Sequence, residues 1–114
     1  MSDARFTVRP SSDDDVFYLV GELDLAFADA LEDAVRVPND GDAPVVLDLS
    51  DLAFVDSTGI RSFIRLADRL RPRPLVLRSP RPNVATVLGI IRIDTMGVQI
   101  EELGGGRADD GPGA

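Results

Sequence analysis

Hydrophobic and polar positions change period several times along this chain, and each change marks an element. Residues 5–9 alternate, with Phe6 and Val8 on one face, and stop at Pro10, which predicts a short edge strand. A polar, acidic run over 11–15 turns the chain. The apolar run Val16-Phe17-Tyr18-Leu19-Val20 then predicts a second strand in a hairpin with the first. Gly21-Glu22-Leu23-Asp24 leads into a helix over 25–36 with Phe27, Leu31, Ala34 and Val35 on its inner face, and Asp24 is placed to cap it. Pro38-Asn39-Asp40-Gly41-Asp42 is a loop.

The pattern repeats in the second half. Residues 45–49 (Val-Val-Leu-Asp-Leu) predict an interior strand. Ile60, Phe63, Ile64, Ala67 and Leu70 recur at helical spacing up to about residue 70, where Arg71-Pro72-Arg73-Pro74 ends the helix. Leu75-Val76-Leu77 is a fourth strand. Ser79-Pro80-Arg81-Pro82 opens a third helix, with Val84, Val87, Leu88 and Ile91 along one side. A last strand near 97–102 contains Val98 and Ile100. The expected fold class is therefore α/β, a mixed and mostly parallel sheet in the order β-β-α-β-α-β-α-β with helices packed on it. The expected domain spans 1–104, with a flexible glycine-rich tail at 105–114.

In such a sheet, loops at the carboxyl ends of strands meet ligands and partners. Gly21-Glu22-Leu23-Asp24 and Asp56-Ser57-Thr58-Gly59 both run from strands into helices, so they are expected on the same rim. The segment Val55-Asp56-Ser57-Thr58-Gly59-Ile60 puts a hydroxyl at a helix N-terminus, beside a carboxylate and before a glycine. Two readings stand for these residues. Asp56 and Ser57 suit ordinary helix capping, and they also suit a presented, modifiable hydroxyl, with Thr58 a competing one. Gly59 implies a close backbone approach, by a partner or by a neighbouring loop. Glu22 and Asp24 divide between capping and partner contact, and Phe54 and Val55 read as core.

Composition then removes alternatives. The chain has no His, Cys, Lys or Trp. That excludes the usual zinc and iron–sulfur ligand sets within one chain, a Ser-His-Asp triad on Ser57, a lysine-bearing P-loop and Schiff-base chemistry. A carboxylate-only enzyme stays open, since 16 Asp and 4 Glu are present, although most read as solvated charge. A nucleotide-binding rim is opposed by the acids Glu22, Asp24 and Asp56, which repel phosphate unless a cation intervenes. No metal or cofactor of its own is expected. At 114 residues with 44% hydrophobic content, one core and one domain are expected. A net charge of −8 opposes nucleic acid as partner. No 18-residue apolar run and no signal-peptide core occur, so no membrane insertion and a cytoplasmic setting are expected.

The charge is divided. Residues 1–57 hold 14 acids and 3 arginines, a net of −11, whereas 58–114 hold 6 acids and 9 arginines, a net of +3. Either the halves complement each other on folding, or Arg61, Arg65 and Arg69, spaced i, i+4, i+8, form a ridge offered to an acidic partner.

Gly-Glu-Leu-Asp at 21–24, followed by Leu-Ser-Asp-Leu-Ala-Phe-Val-Asp-Ser-Thr-Gly-Ile at 49–60, resembles the STAS domain of bacterial anti-sigma factor antagonists, over about residues 5–102. The resemblance implies a partner-switching cycle in transcription regulation and stress response. The serine matching the family's phosphoacceptor is Ser57. An anti-sigma factor with serine kinase activity would phosphorylate it with ATP and magnesium. The unmodified antagonist binds that factor and frees a sigma factor; phosphorylation abolishes binding, and a serine phosphatase restores it. The antagonist is then a phosphoprotein and not an enzyme. Glu22, Asp24, Asp56, Ser57, Thr58, Gly59, Ile60 and Arg61 would form the partner-binding rim. Three features depart from the family pattern: Arg61 where a small residue is common, Ile91-Arg92 where a small-residue turn usually follows the third helix, and Gly104-Gly105-Gly106 where a C-terminal helix often stands. Similar STAS domains also serve as unphosphorylated subunits of larger complexes such as phospholipid transporters, which would make the rim a static interface and Ser57 only a cap.

Overall fold

A computed structural model describes residues 6–13, 15–38 and 40–102; the expected tail at 105–114 and Arg5 lie outside these. Five strands are present: β1 (Phe6–Pro10), β2 (Val16–Leu23), β3 (Val45–Val55), β4 (Leu75–Arg78) and β5 (Val98–Glu101). They lie side by side in sequence order, β1 antiparallel to β2 and every later pair parallel. Three helices connect the parallel strands: α1 (Ala28–Ala34), α2 (Ser57–Leu70) and α3 (Pro82–Ile90). The expected α/β class and element order are those observed.

Sequential strand order combined with same-handed crossovers places the helices on one face of the sheet. Burial follows the register. Val45, Leu75 and Val98 are aligned and buried, as are Phe17, Leu47 and Leu77, whereas Tyr18, Gln99 and Glu101 face the open side. Phe63, Leu66 and Leu70 of α2, Leu31 of α1 and Leu88 of α3 complete one continuous core over the covered face. Gln99 and Glu101 keep edge strand β5 polar outward, which disfavours edge-to-edge association.

The elements differ from expectation in five places. Gly21, Glu22 and Leu23 belong to β2, not to a loop, and β3 runs to Val55 instead of stopping near Leu49. The two extensions pair with each other, Glu22 with Phe54 and Leu23 with Val55, across register shifts between Tyr18 and Val20 and between Gly21 and Glu22. Those shifts break strict alternation, and the result leaves Phe54 46% exposed, not in the core as expected. The first helix is shorter than expected: a 3-10 turn (Leu25–Phe27) precedes α1, which ends at Ala34, and Ala34 is exposed. Finally, α3 ends at Ile90, so Ile91 is its cap. Arg92 takes the left-handed conformation (φ 58°) before a further 3-10 turn (Ile93–Met96).

Charge complementarity between the halves is realised in contacts. Arg65 pairs with Glu32 at 2.7 Å, Arg73 with Asp15 at 2.6 Å and Arg78 with Asp48 at 2.9 Å, each joining an arginine of the second half to an acid of the first. Arg69 donates to the backbone carbonyls of Glu32 and Val35. Two members of the expected ridge, Arg65 and Arg69, are thus engaged within the fold.

Candidate functional site

The carboxyl ends of β2 and β3 lie side by side and each feeds a helical turn. Asp24 follows β2 and its carboxylate accepts the N–H of Ala26 at 3.0 Å, which caps the 3-10 turn. Asp56 follows β3 and accepts the N–H of Gly59 at 3.0 Å, which caps α2. The two loops are joined directly: the N–H of Asp56 donates to the carbonyl of Leu23 at 3.2 Å. Gly21-Glu22-Leu23-Asp24 and Asp56-Ser57-Thr58-Gly59 therefore share one rim, as the strand order implies.

Ser57 is the first residue of α2 and is exposed. Because Asp56 supplies the capping oxygen, the Ser57 hydroxyl is left without a capping task. Thr58, the competing hydroxyl, is half-buried. Its carbonyl accepts a hydrogen bond at 3.3 Å from the buried hydroxyl of Ser62, which also reaches the Ala28 carbonyl at 3.4 Å. Ser62 thereby fastens the start of α2 to the start of α1.

Gly59 is buried, and a Cβ there would lie 2.7 Å from the Leu23 carbonyl oxygen and 2.7 Å from Val55 Cγ2. The close approach that the glycine permits is by the end of β2. Ile60 is buried beneath the rim, whereas Glu22, Asp24 and Asp56 are half-buried at it and Arg61 is exposed. Of the eight rim residues, Ser57 and Arg61 are the most open to solvent, and Gly59 and Ile60 act from below by setting the shape.

Two apolar residues stand at the rim outside the expected set, Leu25, which the sequence does not single out, and Phe54, which it assigns to the core. Leu25, directly after Asp24, is 76% exposed, and Phe54 stands beside Glu22. Leu25 does carry a signal, for it lies off the apolar stripe of its own helical segment. Phe54 carries none without the register shifts.

Behind the rim, on the open sheet face, the Asp48 carboxylate accepts bonds from the Ser50 hydroxyl and N–H and from Arg78 Nε. Burial alone would raise its pKa; the Ser50 hydroxyl, the Ser50 N–H and the Arg78 guanidinium outweigh that and hold it below the ordinary 3.8. A hollow of about 310 Å³ lined by Arg36, Val37, Arg69 and Leu70 lies at the other end of α2, away from Ser57. Among the described residues no cluster of three potential metal-ligating side chains occurs, and no helix is long and apolar enough to cross a membrane.

Comparison with known proteins bears on this arrangement. The family model described as "Mlab, STAS domain" matches residues 6–101. A crystal structure of a Thermotoga maritima protein, provisionally assigned as an anti-sigma factor antagonist, superposes with a TM-score of 0.65 at 24% identity. That match covers 84% of this chain and 85% of the other. Among curated proteins no sequence matches. The β-β-α-β-α-β-α-β sheet, matched by that model over nearly all of its described residues, thus has a family: the chain belongs to the STAS-domain proteins.

Proposed function

We propose that this domain is an anti-sigma factor antagonist switched by phosphorylation of Ser57. The observation that carries the reading is the division of labour at the start of α2. Asp56 caps the helix, and the adjacent Ser57 hydroxyl is exposed at a rim also formed by Glu22 and Asp24. In the proposed cycle the unmodified rim binds an anti-sigma factor with serine kinase activity, and a sigma factor is released. ATP and magnesium belong to that partner. The Ser57 oxygen forms a bond to the γ-phosphorus, the bond to the leaving ADP breaks, and the hydroxyl proton passes to base or solvent. A serine phosphatase returns the hydroxyl by hydrolysis. This chain is the substrate of both steps and catalyses neither, and the setting is cytoplasmic.

The physics of the rim supports a switch in binding, not in folding. A phosphate adds about −1.5 to −2 charge. The helix N-terminus tolerates it, while Asp56 and Asp24 make the rim still more negative. A partner surface fitted to a neutral hydroxyl then meets repulsion and a desolvation cost.

The test is phosphate mapping by mass spectrometry after incubation with ATP, magnesium and lysate of the source cells. Ser57→Ala serves as the control and keeps the native fold, because the cap is at Asp56. Phosphate on Ser57 that disappears in the variant is the expected result, and Ser57→Asp should weaken partner binding relative to Ser57→Ala. Equal binding by both variants would remove charge at this position as the switch. A second reading is a STAS subunit that stays unmodified in a larger complex such as a phospholipid transporter. The Mlab name of the matching family model favours it, and absence of phosphate in a lysate with active kinases would select it.

A further inference from the structure

Along the exposed stripe of α2, Ser57, Arg61, Arg65 and Arg69 follow one another at intervals of four residues. The three arginines are not equivalent. Arg65 is held by Glu32 through two nitrogens, at 2.7 and 3.0 Å, and Arg69 by carbonyls at the end of α1. Arg61 alone of the three is exposed without a hydrogen bond or ion pair to any described residue. It is also the one nearest Ser57.

We propose that Arg61 is the intramolecular counter-ion of a phosphate on Ser57. The inference rests on the phosphorylation reading above and specifies how the modified rim is built. Side chains on a helix lean toward its N-terminus, so a residue at i+4 covers the turn that holds residue i. An anion four residues before a cation is the favourable order for such a pair. The guanidinium fork matches two phosphate oxygens at once, which a lysine could not do. Among the described residues the rim around Ser57 carries the carboxylates of Asp56, Asp24 and Glu22, and Arg61 is a cation on the same helix face one turn from Ser57, placed to offset the added charge. Phosphorylation then changes the surface twice: it adds an anion and withdraws a cation that the unmodified rim presents to a partner.

The test needs no kinase. Phosphoserine is incorporated at position 57 during translation, and its second ionisation is followed by phosphorus NMR in the otherwise native chain and in Arg61→Gln and Arg65→Gln. The guanidinium favours the dianion, so the native chain should ionise lower than Arg61→Gln by about 0.15–0.4 unit at low salt, the size an exposed pair at this spacing produces. The difference should collapse in about 1 M salt, and Arg65→Gln should match the native chain. Coincident titrations of the native chain and Arg61→Gln would overturn the assignment, as would an equal rise in Arg65→Gln. Partner binding is scored separately. A phosphorylated chain that still binds the anti-sigma factor would end the switch reading while the ion pair stands; coincident titrations beside a working switch would end the ion pair alone.

Discussion

At Gly59, the space for one methyl group decides whether two strands and a helix can meet. The Leu23 carbonyl oxygen stands 2.7 Å from where that methyl would lie, and backbone cannot step aside as a side chain can. Gly59→Ala should therefore destabilise the domain by about 1–3 kcal/mol, read as a lower urea midpoint with unchanged slope. An unchanged midpoint would mean that the rim adjusts. The glycine was visible in the sequence as a site of close approach, but its neighbour was not, because proximity between residues 23 and 59 is created by the sheet. Likewise Asp56 and Ser57 are both good capping types. Which one caps depends on where the helix begins, to within one residue.

Among the elements, α2 was the most legible, since a capping acid, an apolar stripe and a proline stop all coincide within it. Strand β3 was the least. Its outer half, with exposed Ser50, Asp51, Ala53 and Phe54, has neither strand alternation nor an apolar run, and it is a strand because β2 pairs with it through two register shifts. The same strand carries a pH-dependent contact. Asp48 is ionised more readily in the folded chain than in the unfolded one, so its stabilising contribution is complete above its ordinary 3.8 and fades as pH falls through the lower folded value. Thermal unfolding across a pH series should show native and Asp48→Asn chains separated near neutrality and converging as the pH drops from about 4 to 2. A separation that stays constant over that range would mean that the Asp48 charge contributes nothing.

At the scale of the molecule, strand order was legible because a hairpin followed by alternating helices and strands leaves few topologies, and the division of charge into acidic and basic halves was legible by counting. How the halves meet was not. Arg73 shows it best: a buried guanidinium that donates to the Pro38 carbonyl at 2.7 Å, the Ala43 carbonyl at 2.8 Å and Asp15 at 2.6 Å. One side chain thus joins two loops of the first half to the entry of β4. Arg73→Met should cost about 1–3 kcal/mol in denaturant unfolding, because three acceptors lose their donor while remaining within reach of water. Arg36→Ala, whose partner Asp33 is as exposed as itself, should stay within about 0.5 kcal/mol of native. Equal losses would make burial irrelevant to these pairs.

The hydrogen bond from Asp56 to Leu23, with Gly59 pressed against the same carbonyl, bears on how the proposed switch would work. The two rim loops are tied backbone to backbone, so displacing one strains its contact with the other. On the proposed switch, a phosphate on Ser57 would be displayed on a surface braced from both strands. A partner in that switch would then respond to altered charge on a braced surface, and the larger motion would fall to the partner.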